Sequence, residues 1–249
     1  MRPAARTRRR LLPAAALLIL LGGGLAVAAS ARPSAPGGAA AKPAVRAGLG
    51  GVTGTSSQNE PAVPRVNLAG LRWSDFYGVE LPSSAAGPRH TGGGIAAGFA
   101  HSPLGALLAA VNIGVRANAQ WGPRIFTQVI RGQVTGPDAA ALLAGCQAAY
   151  DQASQSEGVT GGQPLGDVDV TEEAFRWVAY TPAAAIIELV SAGPGSQGTT
   201  VRATTRIQVV WDNTDWKVIA PLGGNWGNSA TELSSLGGYT VFPGQGSGR

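Results

Sequence analysis

Titratable side chains are scarce in this sequence, and the few that cluster limit the chemistry it could perform. Histidine occurs at His90 and His101, eleven residues apart and both in Gly- and Pro-rich surroundings. General acid–base work needs a titratable pair held in an apolar pocket, and two histidines outside regular elements make a poor one. Zinc needs three or four convergent ligands, which this pair without clustered acids does not supply. His101 stands beside Ser102 at an expected helix start, which favours local capping or packing.

The densest acidic run is Asp167, Asp169, Glu172 and Glu173. It lacks the ligand order of a calcium-binding hand and reads as a solvated start of a strand. Glu188 falls inside an apolar run, where burial would raise its pKa and fit it for a base. Alternation with Ile187 and Leu189 instead puts it on the opposite, wet face. Cys146 is the only cysteine, so no intramolecular disulfide can form. Its setting, Leu142-Leu143-Ala144-Gly145-Cys146, suits a small core hydrophobe better than a nucleophile. Gly92-Gly93-Gly94 and the glycines of residues 223–227 lack the lysine and hydroxyl of a phosphate loop. The expectation is therefore no enzyme, with no catalytic, cofactor-binding or metal residues.

The elements that would position these groups begin only after a long approach. Arg6, Arg8, Arg9 and Arg10 precede an uncharged run from Leu11 to Ala31. Such a run spans roughly the 30 Å hydrocarbon core as a helix, and arginines before it favour a cytoplasmic N-terminus. Ala29-Ser30-Ala31 is also a small-x-small cleavage site, so a transmembrane anchor and a removed signal peptide both stand. Either places the folded part outside the cytoplasm: membrane-bound and single-pass, or secreted if cleaved after Ala31. The expected layout is a basic head over 1–10, the membrane or signal segment over 11–31, a Pro/Ala/Gly linker over 32–66 and a domain over 67–249. The linker has no hydrophobic period and cannot offset the entropy of ordering itself.

Residues 1–65 carry nine basic groups against one acid, and the remainder ten against thirteen. A slightly acidic domain is not expected to bind nucleic acid directly, because it releases few counterions from a polyphosphate.

Within the domain, residues 71–82 read as an aromatic extended segment. Ser102-Pro103 supplies an N-cap and an N1 proline for a helix reaching about Ala119, with Leu104, Leu107, Leu108, Val111 and Val115 on one stripe. Gly122-Pro123 breaks it. A shorter helix carries Ile125, Phe126, Val129 and Ile130, and Thr135-Gly136-Pro137-Asp138 opens a third that reaches about Ser154. The period then drops to two. Strands are expected over 173–180, 185–190, 200–211 and 216–221, with a turn at 192–196. In the third strand Val201, Ala203, Thr205, Ile207, Val209 and Trp211 form a mostly apolar face, and Thr200, Arg202, Thr204, Arg206 and Gln208 face water. Helices followed by a strand meander predict an α+β fold.

The long alternating strand, the turn Asp212-Asn213-Thr214-Asp215 and Trp216-Lys217-Val218 followed by Pro221 resemble the end of a nuclear transport factor two-like domain. That resemblance covers roughly residues 100–221 and implies N-terminal helices on a curved antiparallel sheet shaped as a cone. The whole layout is similar to extracytoplasmic scaffold subunits of conjugative type IV secretion systems. Gly87-Pro88-Arg89-His90, the stretch from Gly98 to Ala110, Trp121-Gly122-Pro123 and the stretch from Gly237 to Gly244 resemble actinobacterial conjugation-element proteins. The resemblance implies an assembly role through protein–protein contacts with other subunits of a membrane complex. It carries no catalytic residues and is compatible with a homo-oligomer. An exported small-ligand binder or enzyme using the cone pocket is the alternative. Trp73, Trp121 and Trp226, outside the main strands, are candidates for partner contacts or for covering the open end of their own domain.

Overall fold

The computed structural model describes residues 63–244. The membrane or signal segment expected at 11–31, and nearly all of the linker expected at 32–66, lie outside the described residues. Among the described residues no helix is long and apolar enough to cross a membrane.

The architecture is α+β, with three α-helices among the described residues and a mostly antiparallel sheet. The aromatic segment folds as a hairpin of β1 (Arg72–Phe76) and β2 (Val79–Ser83), turned at Tyr77-Gly78 with both residues at positive φ. Glycine suits that turn, and its α-carbon also lies where a Cβ would meet the Val168 carbonyl oxygen at 2.0 Å. A second ribbon, β3 (His90–Gly92) with β4 (Ile95–Ala97), precedes the helices.

Helix α1 (Pro103–Arg116) starts as its sequence dictates. Ser102 accepts a hydrogen bond from the Gly105 amide, and proline occupies the first turn. The expected single stripe understates its burial, because Ala106 through Val111 are all fully enclosed. The helix packs on the sheet, β2, β4 and the next helix at once, so no face is left for water. Gly105 and Gly114 permit this approach: a Cβ would meet the Ala100 carbonyl oxygen at 1.9 Å and Ile207 Cδ1 at 2.7 Å. Helix α2 (Pro123–Gln133) follows Gly122, and α3 (Ala139–Glu157) ends on left-handed Gly158. Between them lies β5 (Val134–Thr135), which the sequence reading leaves out. Two residues carry no legible alternation.

The main sheet runs β11–β6–β7–β8–β9–β5. Its centre is β6 (Thr171–Tyr180), β7 (Ala184–Pro194) and β8 (Thr200–Trp211), joined to β9 (Trp216–Ile219). Pairing of β7 with β8 continues to Pro194↔Thr200, so the turn falls at 195–199 rather than 192–196. The last segments are β10 (Ala230–Glu232), antiparallel to β8, and β11 (Thr240–Val241), antiparallel to β6. β5 alone is parallel to its neighbour, β9.

The chain between β10 and β11 crosses the outer face of β8 and β7. Tyr239 bonds there to Glu188 and to Thr204, and its ring lies under the Arg176 guanidinium. The face expected to be open to water is therefore partly covered by the chain's own C-terminal segment. Phe242 anchors that segment, buried against Phe175 at 5.1 Å and Trp73 at 5.7 Å.

Candidate functional site

Between α1 and the inner face of the sheet lies a cavity of about 20 Å³, lined by Val79, Gly114, Val115, Glu172, Leu189, Ser191, Thr205, Ile207 and Trp226. Three polar side chains meet in this apolar lining. The Ser191 hydroxyl donates to the Glu172 carboxylate, 2.9 and 3.0 Å from its two oxygens. Thr205, 3% exposed, has a hydroxyl with no protein hydrogen-bond partner. Burial, only partly offset by the Ser191 hydrogen bond, pushes the Glu172 carboxyl up to about 7.

The backbone explains how a glutamate reached the core. The β6–β7 register shifts between Glu172 and Ala174, leaving Glu173 as the extra residue of a bulge. Strict alternation back from Trp177 and Phe175 would turn Glu172 outward; the bulge places it opposite Ser191 on the inner face. The solvated strand start expected of Asp167, Asp169, Glu172 and Glu173 is thus corrected at Glu172, which is 4% exposed. Glu173 points outward and pairs with Arg202.

Glu188 lies on the outer face, as alternation requires, but it is buried rather than wet. Arg176 donates twice to one of its oxygens and Arg206 to the other, and Tyr239 adds a fourth bond. Burial raises its pKa, yet the hydrogen bonds from Arg206, Arg176 and Tyr239 outweigh burial and hold it below the usual carboxylate range. It is an ion-paired structural group.

The histidines do not come together as a pair. His90 lies on the exposed β3–β4 ribbon. His101 stacks on Trp211 at 4.2 Å, and its Nε2 lies 2.7 Å from the Pro182 carbonyl oxygen, a packing role beside the Ser102 cap. The Asp215 carboxylate clamps the same loop, accepting from the Gly98 and Phe99 amides. Cys146 is buried, and desolvation pushes its thiol up to about 12. Among the described residues no group of three or more His, Cys, Asp or Glu gathers as a metal site.

The three tryptophans fall into the domain's own packing. Trp121 is fully buried, its Nε1 donating to the Val115 carbonyl and its ring against Phe76 and Tyr77. Trp226 is 3% exposed, donates to the Ala117 carbonyl and closes the cavity. Trp73 is half-buried and ties down the C-terminus through the Pro243 carbonyl. All three thus make contacts within the domain itself.

A family model described as Domain of unknown function (DUF8175) matches residues 31–241. The chain belongs to the DUF8175 family. No curated protein and no solved structure matches it. In this DUF8175 chain the matched span takes in every element of the fold, so the buried Glu172–Ser191–Thr205 trio lies within the family domain.

Sequence reading missed this trio, although each member left a trace. Thr205 is the one polar residue among the apolar positions of its strand face, and Ser191 ends an apolar run. Arg116, at the end of α1, is a further buried charge. It makes none of the ion pairs of the described residues, bonding instead to the Asn112 carbonyl and side chain and covering the Phe76 ring at 4.4 Å. Desolvation lowers its pKa to about 10.

Proposed function

We propose that the chain is an extracytoplasmic assembly subunit, tethered to the membrane through residues 11–31, that works by protein–protein contacts in a conjugative, type IV secretion-like apparatus. The observation that favours contact over catalysis within a cone is the close packing between α1 and the inner face of the sheet. A cavity of about 20 Å³ holds about one water, whereas pockets for small organic molecules run to roughly 300–1,000 Å³. Trp226 and the Gly114 and Val115 positions of α1 line that cavity. The alternative of an exported ligand binder or enzyme would have to open that packed core.

The helices on an antiparallel sheet fit the nuclear transport factor two-like cone suggested by Trp216-Lys217-Val218 and Pro221, and that finer fold assignment belongs to the same proposal. The transfer-apparatus reading rests on the layout of basic head, apolar segment and linker before the domain.

A reporter fused to the C-terminus tests the topology. Activity confined to the outer side of the membrane supports the proposal, and a cytosolic reporter contradicts it. Deleting the gene in a transfer-competent host should reduce conjugative transfer, while unchanged transfer would remove the assembly role.

A further inference from the structure

Residues 233–244 are held to the rest of the domain by few side chains. Leu233, Leu236 and Tyr239 are half-buried, Phe242 alone in this segment is buried, and the residues between them are exposed. β11 pairs with β6 through Thr240↔Phe175 and Val241↔Ala174 only. The Phe242 ring fills a slot between Phe175 and Trp73, and the Trp73 indole donates to the Pro243 carbonyl. Just before this anchorage the chain makes a reverse turn, Leu236-Gly237-Gly238-Tyr239, closed by the Tyr239 amide donating to the Leu236 carbonyl at 3.0 Å. Gly238 stands at φ +81° and Gly237 is not at positive φ, the pattern of a type II turn with glycine in its third position.

We infer that residues 239–244 form an exchangeable strap: the turn at Gly237-Gly238 opens, and the strap of one copy fills the Phe175–Trp73 slot of a second copy, which returns its own. The slot itself names the occupant, because it is already shaped to this segment and every copy of the chain carries the same one. The contacts of the closed strap, Tyr239 to Glu188 and Thr204, the short pairing with β6 and the Phe242 ring in its slot, can all be remade between copies. The two copies then share one self-complementary, two-fold contact that closes on itself. With the same contacts on both sides, the balance rests on concentration and on the turn. The short connection from β10 keeps the strap near its own slot at an effective concentration in the millimolar range, and glycine takes φ > 0 at no steric cost, so both favour the closed form. A Cβ on Gly238 would come no closer than 3.7 Å to the Arg176 Nη1 atom, an ordinary contact, so a side chain there strains the turn and nothing else. A β-branched residue forced to positive φ costs enough to shift the balance about tenfold toward the open turn. Proline at Gly237 acts in the opposite sense, since it pre-sets the second position of the turn and gives up only the exposed bond from the Gly237 amide to the Ser235 hydroxyl. The exchange stands independently of the assembly proposal.

The test co-expresses two differently tagged copies of the full-length chain, captures one tag from the detergent-purified protein and measures the other. Gly238→Val should raise the mixed pairs about tenfold over wild type, Gly237→Pro should lower them, and adding Phe242→Ala to Gly238→Val should abolish them. A Gly238→Val chain no more paired than wild type overturns the exchange, whether its strap is closed or loose. Pairing that survives Phe242→Ala overturns it too, because another surface then holds the copies together. Should Gly238→Val not fold, wild type and Gly237→Pro are compared after incubation at millimolar concentration. Pairing in wild type that proline suppresses supports the exchange, and equal pairing in both, or none in either, overturns it.

Discussion

Replacing Glu172 with glutamine removes a titration from the core, and the consequence can be worked from its surroundings. The carboxyl is buried and its pKa rises from an ordinary 4.5 to about 7. A group whose folded pKa is raised contributes stability that is fully present below its unfolded pKa and is lost as pH rises through the folded value. At roughly 1.4 kcal/mol per pH decade, the wild-type domain should lose about 3 kcal/mol from this group between pH 4.5 and 8, most of it by pH 7. That is a large share of a typical domain stability of about 5–15 kcal/mol. Glutamine keeps an oxygen that can accept from Ser191 and carries no titration. Denaturant midpoints taken every half pH decade from 4.5 to 8.5 should fall with pH in wild type and be flat in Glu172→Gln over the same window. Glu188 does not confuse the result, because its depressed pKa confines its contribution to the acid side, where stability is lost as pH falls. An equal slope in both proteins would refute the reasoning, showing that Glu172 is solvated or paired in a way that leaves its titration ordinary.

Three further outcomes follow from the packing. Phe242→Ala should cost about 3–5 kcal/mol and release the C-terminal segment, seen as faster hydrogen exchange and proteolysis over residues 233–242, with β7 and β8 still protected. Gly105→Ala should prevent α1 from docking, because its Cβ would fall 1.9 Å from the Ala100 carbonyl oxygen; a Tm within a few degrees of wild type would contradict this close approach. Cys146, buried with its thiol pushed up to about 12, should resist maleimide in the folded protein at pH 7 and react in denaturant, and rapid native labelling would show an open core there.

Much of the fold was legible in the sequence because its signals are local. Ser102-Pro103 set the start of α1, Gly122-Pro123 that of α2, and the alternation from Val201 to Trp211 marked β8 with its inner face correctly assigned. The antiparallel partner after the turn at residues 212–215 came from the same kind of pattern. What escaped depends on long-range placement. A bulge at Glu173 reverses the facing of Glu172, and no composition or period announces a bulge. The C-terminal segment that covers Glu188 pairs with β6 across a wide sequence separation, so alternation gave the right face for Glu188 but the wrong solvent. Full burial of α1 likewise requires knowing that β2 and β4 close over its far side. The Glu172–Ser191–Thr205 trio combines these difficulties, since its members are scattered over three strands and meet only after the bulge is made.

We propose that the domain works through its surface on other subunits of a membrane complex. Crosslinking of the full-length chain in intact membranes, with the adducts identified by mass spectrometry, tests it most directly. Discrete adducts to other subunits of a transfer apparatus, formed through exposed residues of the domain, are the expected result. A chain that forms no such adducts and instead binds a small metabolite stoichiometrically would contradict it.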